Sequence, residues 1–124
     1  MSCGLLNAQS ARRQDNEVNK PLDIHDLILD QDLDLFAITE TWFKDDHDQV
    51  AMGDMVPNGF KIMRTSRKDR RGGGVALIIK ECIPTSQLTR LAHSSFECSR
   101  SILKHNRSDI DLFIVYRPPD ASAT

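Results

Sequence analysis

The chain has 124 residues, 40% of them hydrophobic and 27% charged, with a formal net charge of −2. That is one domain's worth of chain with enough apolar material for a core, too globular in composition for a disordered tail or a coiled coil, and too near neutrality for composition alone to mark a nucleic-acid binder. Cys3, Cys82 and Cys98 form no close pair, and the longest apolar run is VALII (Val75 to Ile79); these exclude a disulfide framework, a four-thiolate zinc site and a segment of the roughly 20 residues that spans a bilayer.

In chain order, Gly4 to Ala8 (GLLNA) reads as a short strand ending in polar residues, followed by a polar loop to about Lys20. Pro21 suits the first turn of a helix, and Leu22, Ile24, Leu27, Ile28 and Gln31 fall near a 3.6-residue spacing with Asp23 and Asp26 on the wetter side, which predicts a helix over 21–31. LFAIT (Leu35 to Thr39) is a strand, too short and too apolar for a lone amphipathic helix. Lys44 to Gly59 reads as a loop that closes on the Asn58-Gly59 turn dipeptide. FKIM (Phe60 to Met63) and VALIIK are two strands joined by a basic, glycine-rich turn. Ile83-Pro84 is an edge or exit, Leu88 to Leu91 a weak strand and Phe96 to Leu103 another. DLFIVY (Asp111 to Tyr116) is the last strand, stopped by Pro118 and Pro119. One helix followed by five or six strands makes a mixed α/β chain in which strands outnumber the helices available to cover a sheet.

The candidate chemistry lies at strand ends. Glu40 follows LFAIT directly, so the strand would hold its carboxylate rigidly at the mouth of the fold. Magnesium takes oxygen ligands and often only one or two protein carboxylates, so one well-placed glutamate is sufficient; the plainer reading is a charged residue where a strand surfaces. Asn7 ends the first strand, where its amide could orient a phosphate oxygen or simply form a turn. Tyr116 ends DLFIVY, where a phenol could reach a phosphoryl oxygen or merely pack. Charge is uneven along the chain: acidic residues crowd Asp23 to Asp48, and Arg64, Arg67, Lys68, Arg70 and Arg71 crowd one short segment. Arg67, Lys68, Arg70 and Arg71, beside glycines that admit close backbone approach, could contact a phosphate backbone, or form a solvated hairpin turn. This is not a P-loop, because the glycines lead into a strand and no Gly-Lys-Ser/Thr follows. Asp45, Asp46, His47 and Asp48 are consecutive loop residues with no ligand spacing, and Cys82 and Cys98 read as core or half-core thiols.

LLNAQS, LDLFAITETWF, RRGGGVALIIK, FEC and DLFIVYRPP occur in the order expected of the endonuclease domain of LINE-type (non-LTR) retrotransposons. The chain resembles that domain over roughly residues 5 to 119. The domain belongs to the endonuclease/exonuclease/phosphatase family, whose fold is that of pancreatic deoxyribonuclease. The resemblance implies a four-layer αββα sandwich and magnesium-dependent hydrolysis of DNA phosphodiesters. It implies a metal-ligand role for Glu40, an active-site amide near metal and phosphate for Asn7, and a phenol near the scissile phosphate for Tyr116.

The sequence also departs from the family. A Gly-Asp-Phe-Asn-like segment and a terminal Asp-His pair are not found, so the chain is expected to form only the N-terminal half of the sandwich, with hydrolysis impaired or absent for want of the general base. The alternatives are a catalytically inactive nucleic-acid-binding remnant, or a fragment with a structural or interaction role. If the partner sheet is missing, alternating residues of VALII and LFIVY should face water, with self-association through the exposed sheet face as a consequence. No membrane partner is expected. The free thiols fit an intracellular compartment, and action on DNA would place the protein in the nucleus.

Overall fold

The computed structural model describes residues 1–7, 20–39, 41, 49–65, 74–91 and 96–116. Among them the elements run β1 (Cys3–Asn7), α1 (Lys20–Asp30), β2 (Leu35–Thr39), α2 (Gln49–Met55), β3 (Phe60–Thr65), β4 (Val75–Lys80), β5 (Thr89–Leu91), β6 (Glu97–His105) and β7 (Ser108–Tyr116).

The first helix forms where the periodicity places it. Ile24 and Ile28, one turn apart, are buried, while Leu22, Leu27 and Leu29 stay exposed. It stops in a Schellman arrangement: Leu33 N–H donates to the Ile28 carbonyl at 3.0 Å and Asp32 N–H to the Leu29 carbonyl at 3.2 Å. Asp32 occupies the left-handed position with φ of 51°, and Leu33 packs back on the same core as Ile28. The turn at Asn58-Gly59 also forms, with Phe60 N–H donating to the Pro57 carbonyl at 3.1 Å and Gly59 at φ 85°, a conformation that favours glycine.

The strands make two sheets. The first has order β1-β2-β4-β3, with β1 and β2 parallel and the other pairs antiparallel; the second has order β5-β6-β7 and is antiparallel throughout. Alternation along the strands of the first sheet builds two cores. Phe36, Ile38, Ala76 and Ile78 pack against Ile24 and Ile28 of α1 and Met55 of α2. Leu35, Ala37, Val75, Leu77 and Ile79 point the other way and meet Leu103 and Ile114 of the second sheet, with Ile83 and Leu88 from the connection. The described layers are therefore helices, sheet and sheet.

Several expectations need correction. Lys44 to Gly59 is not all loop, because α2 lies within it. Met52, Met55 and Val56 recur at i, i+3 and i+4, and Met55 is fully buried; the flanking polar residues and Gly53 masked that short periodicity. The last two strands are longer than the apolar content suggested, because they form one hairpin closed at Asn106-Arg107, both at positive φ (51° and 67°). Their polar ends remain paired through His105 and Ser108. The described chain has two helices and seven strands, not one helix and five or six strands. Cys98 is buried, whereas Cys82 is exposed rather than half-core. The expected exposure of VALII is also wrong. Every residue from Val75 to Ile79 is at most 2% exposed, because both sheets lie within this chain and face each other. Of the two runs, only LFIVY leaves large apolar residues exposed, at Phe113 and Val115.

Candidate functional site

The register of the strands brings separate parts of the sequence to one end of the sandwich. β1 and β2 run parallel and in step, so Asn7 and Thr39 finish side by side. Val75, the first residue of β4, pairs with Thr39 on its other side and with Thr65, the last residue of β3. Thr65 Oγ1 and Ser99 Oγ of the second sheet lie 3.3 Å apart, tying the two sheets together at this level. Ser99 pairs with Ile114, and Tyr116 lies two residues further toward the same end, opposite Glu97. Asn7 and Tyr116, from opposite ends of the sequence, therefore terminate their strands at a common end. Asn7 is exposed and Tyr116 is buried.

The interior changes character along the strands. Away from this end the two sheets meet through Leu35, Ile79 and Leu103; toward it stand Thr39, Ser99 and Thr41, all buried. Thr41 lies just past β2 and donates its backbone N–H to the Gly74 carbonyl at 3.3 Å, with Gly74 at φ 87°. Its hydroxyl is buried and has no hydrogen-bond partner among the described residues. Leaving such a group unsatisfied costs about 1–3 kcal/mol. Sequence reasoning assigned Thr41 no role. The only available signal was its place in the alternation of Ala37, Thr39 and Thr41, in which hydroxyls replace an aliphatic side chain.

Glu40, which carries the proposed metal contact, lies outside the described residues, as do Arg67, Lys68, Arg70 and Arg71 and the Asp45-to-Asp48 run. The strand ends that flank the basic segment are described: β3 finishes at Thr65 and β4 begins at Val75, both on the row that contains Asn7 and Thr39. Among the described residues no group of three or more His, Cys, Asp or Glu side chains is gathered as a metal site.

Among the described residues the perturbed ionisable groups lie elsewhere. At the opposite end of the first sheet, the Asp34 carboxylate accepts from Lys80 Nζ at 2.9 Å and from Ser2 N–H at 2.8 Å. These hydrogen bonds hold its pKa below the usual carboxylate value and raise that of Lys80. On the outer face of the second sheet, Arg100 donates from Nε and Nη2 to the two Asp111 oxygens at 2.6 and 2.8 Å, lowering the Asp111 pKa and raising its own. The same guanidinium lies 5.6 Å from the Phe113 ring centroid. Both pairs pin strands and stand apart from the Asn7 and Tyr116 end.

A separate open groove of about 250 Å³ runs between β1 and β7, the outer strands of the two sheets among the described residues, lined by Cys3, Gly4, Leu5, Leu35 and Ala37 on one side and Leu112 to Val115 on the other. Its walls are apolar, and Leu5 is 71% exposed. Among the described residues no helix is long and apolar enough to cross a membrane.

No protein-family model matches the chain, and no curated protein matches it. Among solved structures it is similar to the crystal structure of AP endonuclease LMAP from Leishmania major, with a TM-score of 0.62 and 14% sequence identity. The match covers 90% of this chain but only 38% of that protein, so the chain spans well under half the length of its structural neighbour. At that identity the likeness establishes the fold alone: this chain is a mixed α/β chain folded as part of a DNase I-like AP endonuclease is folded.

Proposed function

We propose that this chain is part of a magnesium-dependent DNA endonuclease domain of the LINE retrotransposon type, and that it supplies one flank of the active site. The observation that carries this reading is the convergence of Asn7, the end of β2 and Tyr116 at one end of the sandwich, in a chain whose fold is shared with an AP endonuclease. The oxygen chemistry of that end fits a hard cation. It offers the Asn7 amide, the Tyr116 phenol and a buried Thr41 hydroxyl with no partner among the described residues, next in sequence to Glu40.

In this reading Glu40 holds the magnesium ion, which when bound would neutralise charge on the phosphoryl oxygens. Asn7 orients a phosphate oxygen through its amide. Tyr116 donates its phenolic proton toward the scissile phosphate. Arg67, Lys68, Arg70 and Arg71 attract the DNA backbone and account for salt-sensitive binding. Action on DNA makes the nucleus the place of work. The role assigned to this chain is to bind and orient, with water activation left to groups outside this set. We also assign the apolar β1–β7 edge, where Leu5 is 71%, Phe113 51% and Val115 57% exposed, to contact with a second copy of the chain.

The test is nicking of supercoiled DNA with and without magnesium by the full chain and by Glu40→Ala. The expected result is magnesium-dependent nicking that is weak in the parent, because water activation is left to groups outside this set, and at least tenfold weaker still in the variant. Equal cutting by both proteins removes Glu40 from the mechanism. If there is no nicking and no magnesium response from the fluorescence of Trp42, the only tryptophan, the nuclease reading fails. Neutralising Arg67, Lys68, Arg70 and Arg71 together should weaken DNA binding and flatten its salt dependence; unchanged binding would discard the inactive-remnant reading as well.

A further inference from the structure

The interior between the two sheets opens on the flank formed by β1 and β7. The strand register puts Cys3, Leu5 and Asn7 on the same face as Leu35, Ala37 and Thr39, the face turned toward the second sheet. Leu5 is thus an inward-facing leucine. It is nevertheless 71% exposed, because beside it the interior runs out into the groove lined by Leu35, Ala37, Leu112 and Ile114. No strand among the described residues pairs with the outer side of β1 or of β7. Strand edges that face water are ordinarily protected by charge, proline or a bulge. Cys3 to Asn7 and Leu112 to Val115 contain neither a charged residue nor a proline, and the pairing of β1 with β2 and of β7 with β6 is unbroken by a bulge.

We propose that two copies of the chain join edge to edge on this flank, about a two-fold axis perpendicular to the sheets, with β1 antiparallel to β1 of the second copy and β7 antiparallel to β7 of the second copy. This rests on the assignment of the β1–β7 edge to a second copy and specifies how that copy is seated. An occupant has to present two strand edges separated by the distance between packed sheets, about 10 Å, with an apolar interior between them. A second copy presents the same two edges at the same spacing, so one association pairs both. The two four-stranded sheets become one sheet of eight strands, and the two three-stranded sheets one of six. Since Cys3 to Asn7 and Leu112 to Val115 are uncharged, pairing like with like sets no equal charges against each other there. The register that pairs the whole of β1 sets Leu5 opposite Leu5, Gly4 opposite Leu6 and Cys3 opposite Asn7. It joins the two grooves into one interior and buries both copies of Leu5. Because the paired strands run in opposite directions, the two Asn7 and Tyr116 ends lie at opposite ends of the dimer.

The experiment combines sedimentation of the full chain with disulfide trapping of Leu5→Cys in a background of Cys3→Ser and Cys82→Ser, which removes the two exposed thiols. Opposite Cα atoms in an antiparallel pair lie about 4.5–5.5 Å apart, within the range that a disulfide spans. Mild oxidation should therefore convert most of the Leu5→Cys protein to a covalent dimer. Cys82→Ser, which keeps Cys3, should give none, because the two Cys3 residues are offset by about 13 Å along the seam. Leu5→Lys, which sets two ammonium groups together at the axis, should weaken dimerisation at least about tenfold and leave the circular dichroism spectrum unchanged, since Leu5 is 71% exposed in the single chain. A parent that stays monomeric at every concentration sinks the second-copy assignment and this arrangement together. A dimer that neither traps Leu5→Cys nor responds to Leu5→Lys leaves the second copy in place and overturns this seating alone. Trapping through Cys3, or assemblies that grow beyond a dimer, also overturns it, because the two-fold pairing offsets Cys3 and closes both edges at once.

Discussion

β4 and β7 look alike in sequence, VALIIK against DLFIVY, yet they sit in different surroundings. On β4 every residue from Val75 to Ile79 is buried, because α1 and α2 cover one face of the first sheet and the second sheet covers the other. On β7 burial alternates: Ile114 and Tyr116 face the sandwich interior, and Phe113 and Val115 face outward at 51% and 57% exposure. A run of apolar residues thus identifies a strand, but the layers stacked on it decide whether one face or both are dry. Full burial on both faces makes β4 the structural centre of the chain.

The largest effect should come from breaking that centre. Leu77→Ala removes a fully buried side chain from the interface between the sheets and should cost about 2–5 kcal/mol in urea unfolding. Phe113→Ala, on the outer face of β7, should stay within about 0.5 kcal/mol. Similar midpoints for the two variants would show that the two strands are equally buried in solution and dissolve the contrast.

Gly4→Ala probes the margin of the first sheet. A methyl group there would stand 2.5 Å from Cδ1 of Phe36 and 2.9 Å from Cδ1 of Leu33, so both side chains must move, at about 1–3 kcal/mol. A neutral substitution would mean that β1 is held less tightly against β2 than its register implies.

The outer face of the second sheet can be tested by association. Sedimentation of the parent chain should give a mass that rises with concentration above the 14.0 kDa monomer, and Phe113→Lys combined with Val115→Lys should remain monomeric. A parent that is monomeric throughout would remove the second copy as the occupant of that edge.

The smallest effect is expected from the ion pairs. Asp34 and Asp111 both have folded pKa values below the ordinary carboxylate value. Their stabilisation is therefore complete above the unfolded pKa of about 3.9 and is lost as pH falls through the lower folded values. Thermal midpoints measured from pH 5 down to pH 2 should fall less steeply for Asp34→Asn and Asp111→Asn than for the parent. Asp34, which also accepts from Ser2 N–H, should show the larger change. An unchanged acid limb in both variants would mean that solvent screens these pairs fully.

Much of the fold was legible because local chemistry set it. Pro21 and the Ile24–Ile28 spacing marked α1, Asn58-Gly59 marked a turn, and LFAIT and VALIIK marked strands; all of these appear within a residue or two of their expected limits. α2 was hidden because a seven-residue helix offers barely two turns of periodicity. The β6–β7 hairpin was hidden because only the first of its two positive-φ turn residues, Asn106, is of a type that favours that conformation, and the second is Arg107 rather than glycine. At the candidate site, Asn7 and Tyr116 could be picked out as polar groups ending strands, whereas Thr41 could not, since nothing local distinguishes a hydroxyl that finds a partner from one that does not.

The sequence by itself determined where the chain extends, where it coils and which residues are apolar, because backbone propensity and side-chain period act over a few neighbours. Only the tertiary structure decided that both sheets pack within this chain, that β4 is dry on two faces and β7 on one, and that Asn7 and Tyr116 finish at the same end. Those outcomes depend on pairing register between strands distant in sequence, such as Cys3 with Leu35 and Glu97 with Tyr116. Register is set by the joint burial of whole faces, a quantity that no single stretch of residues contains.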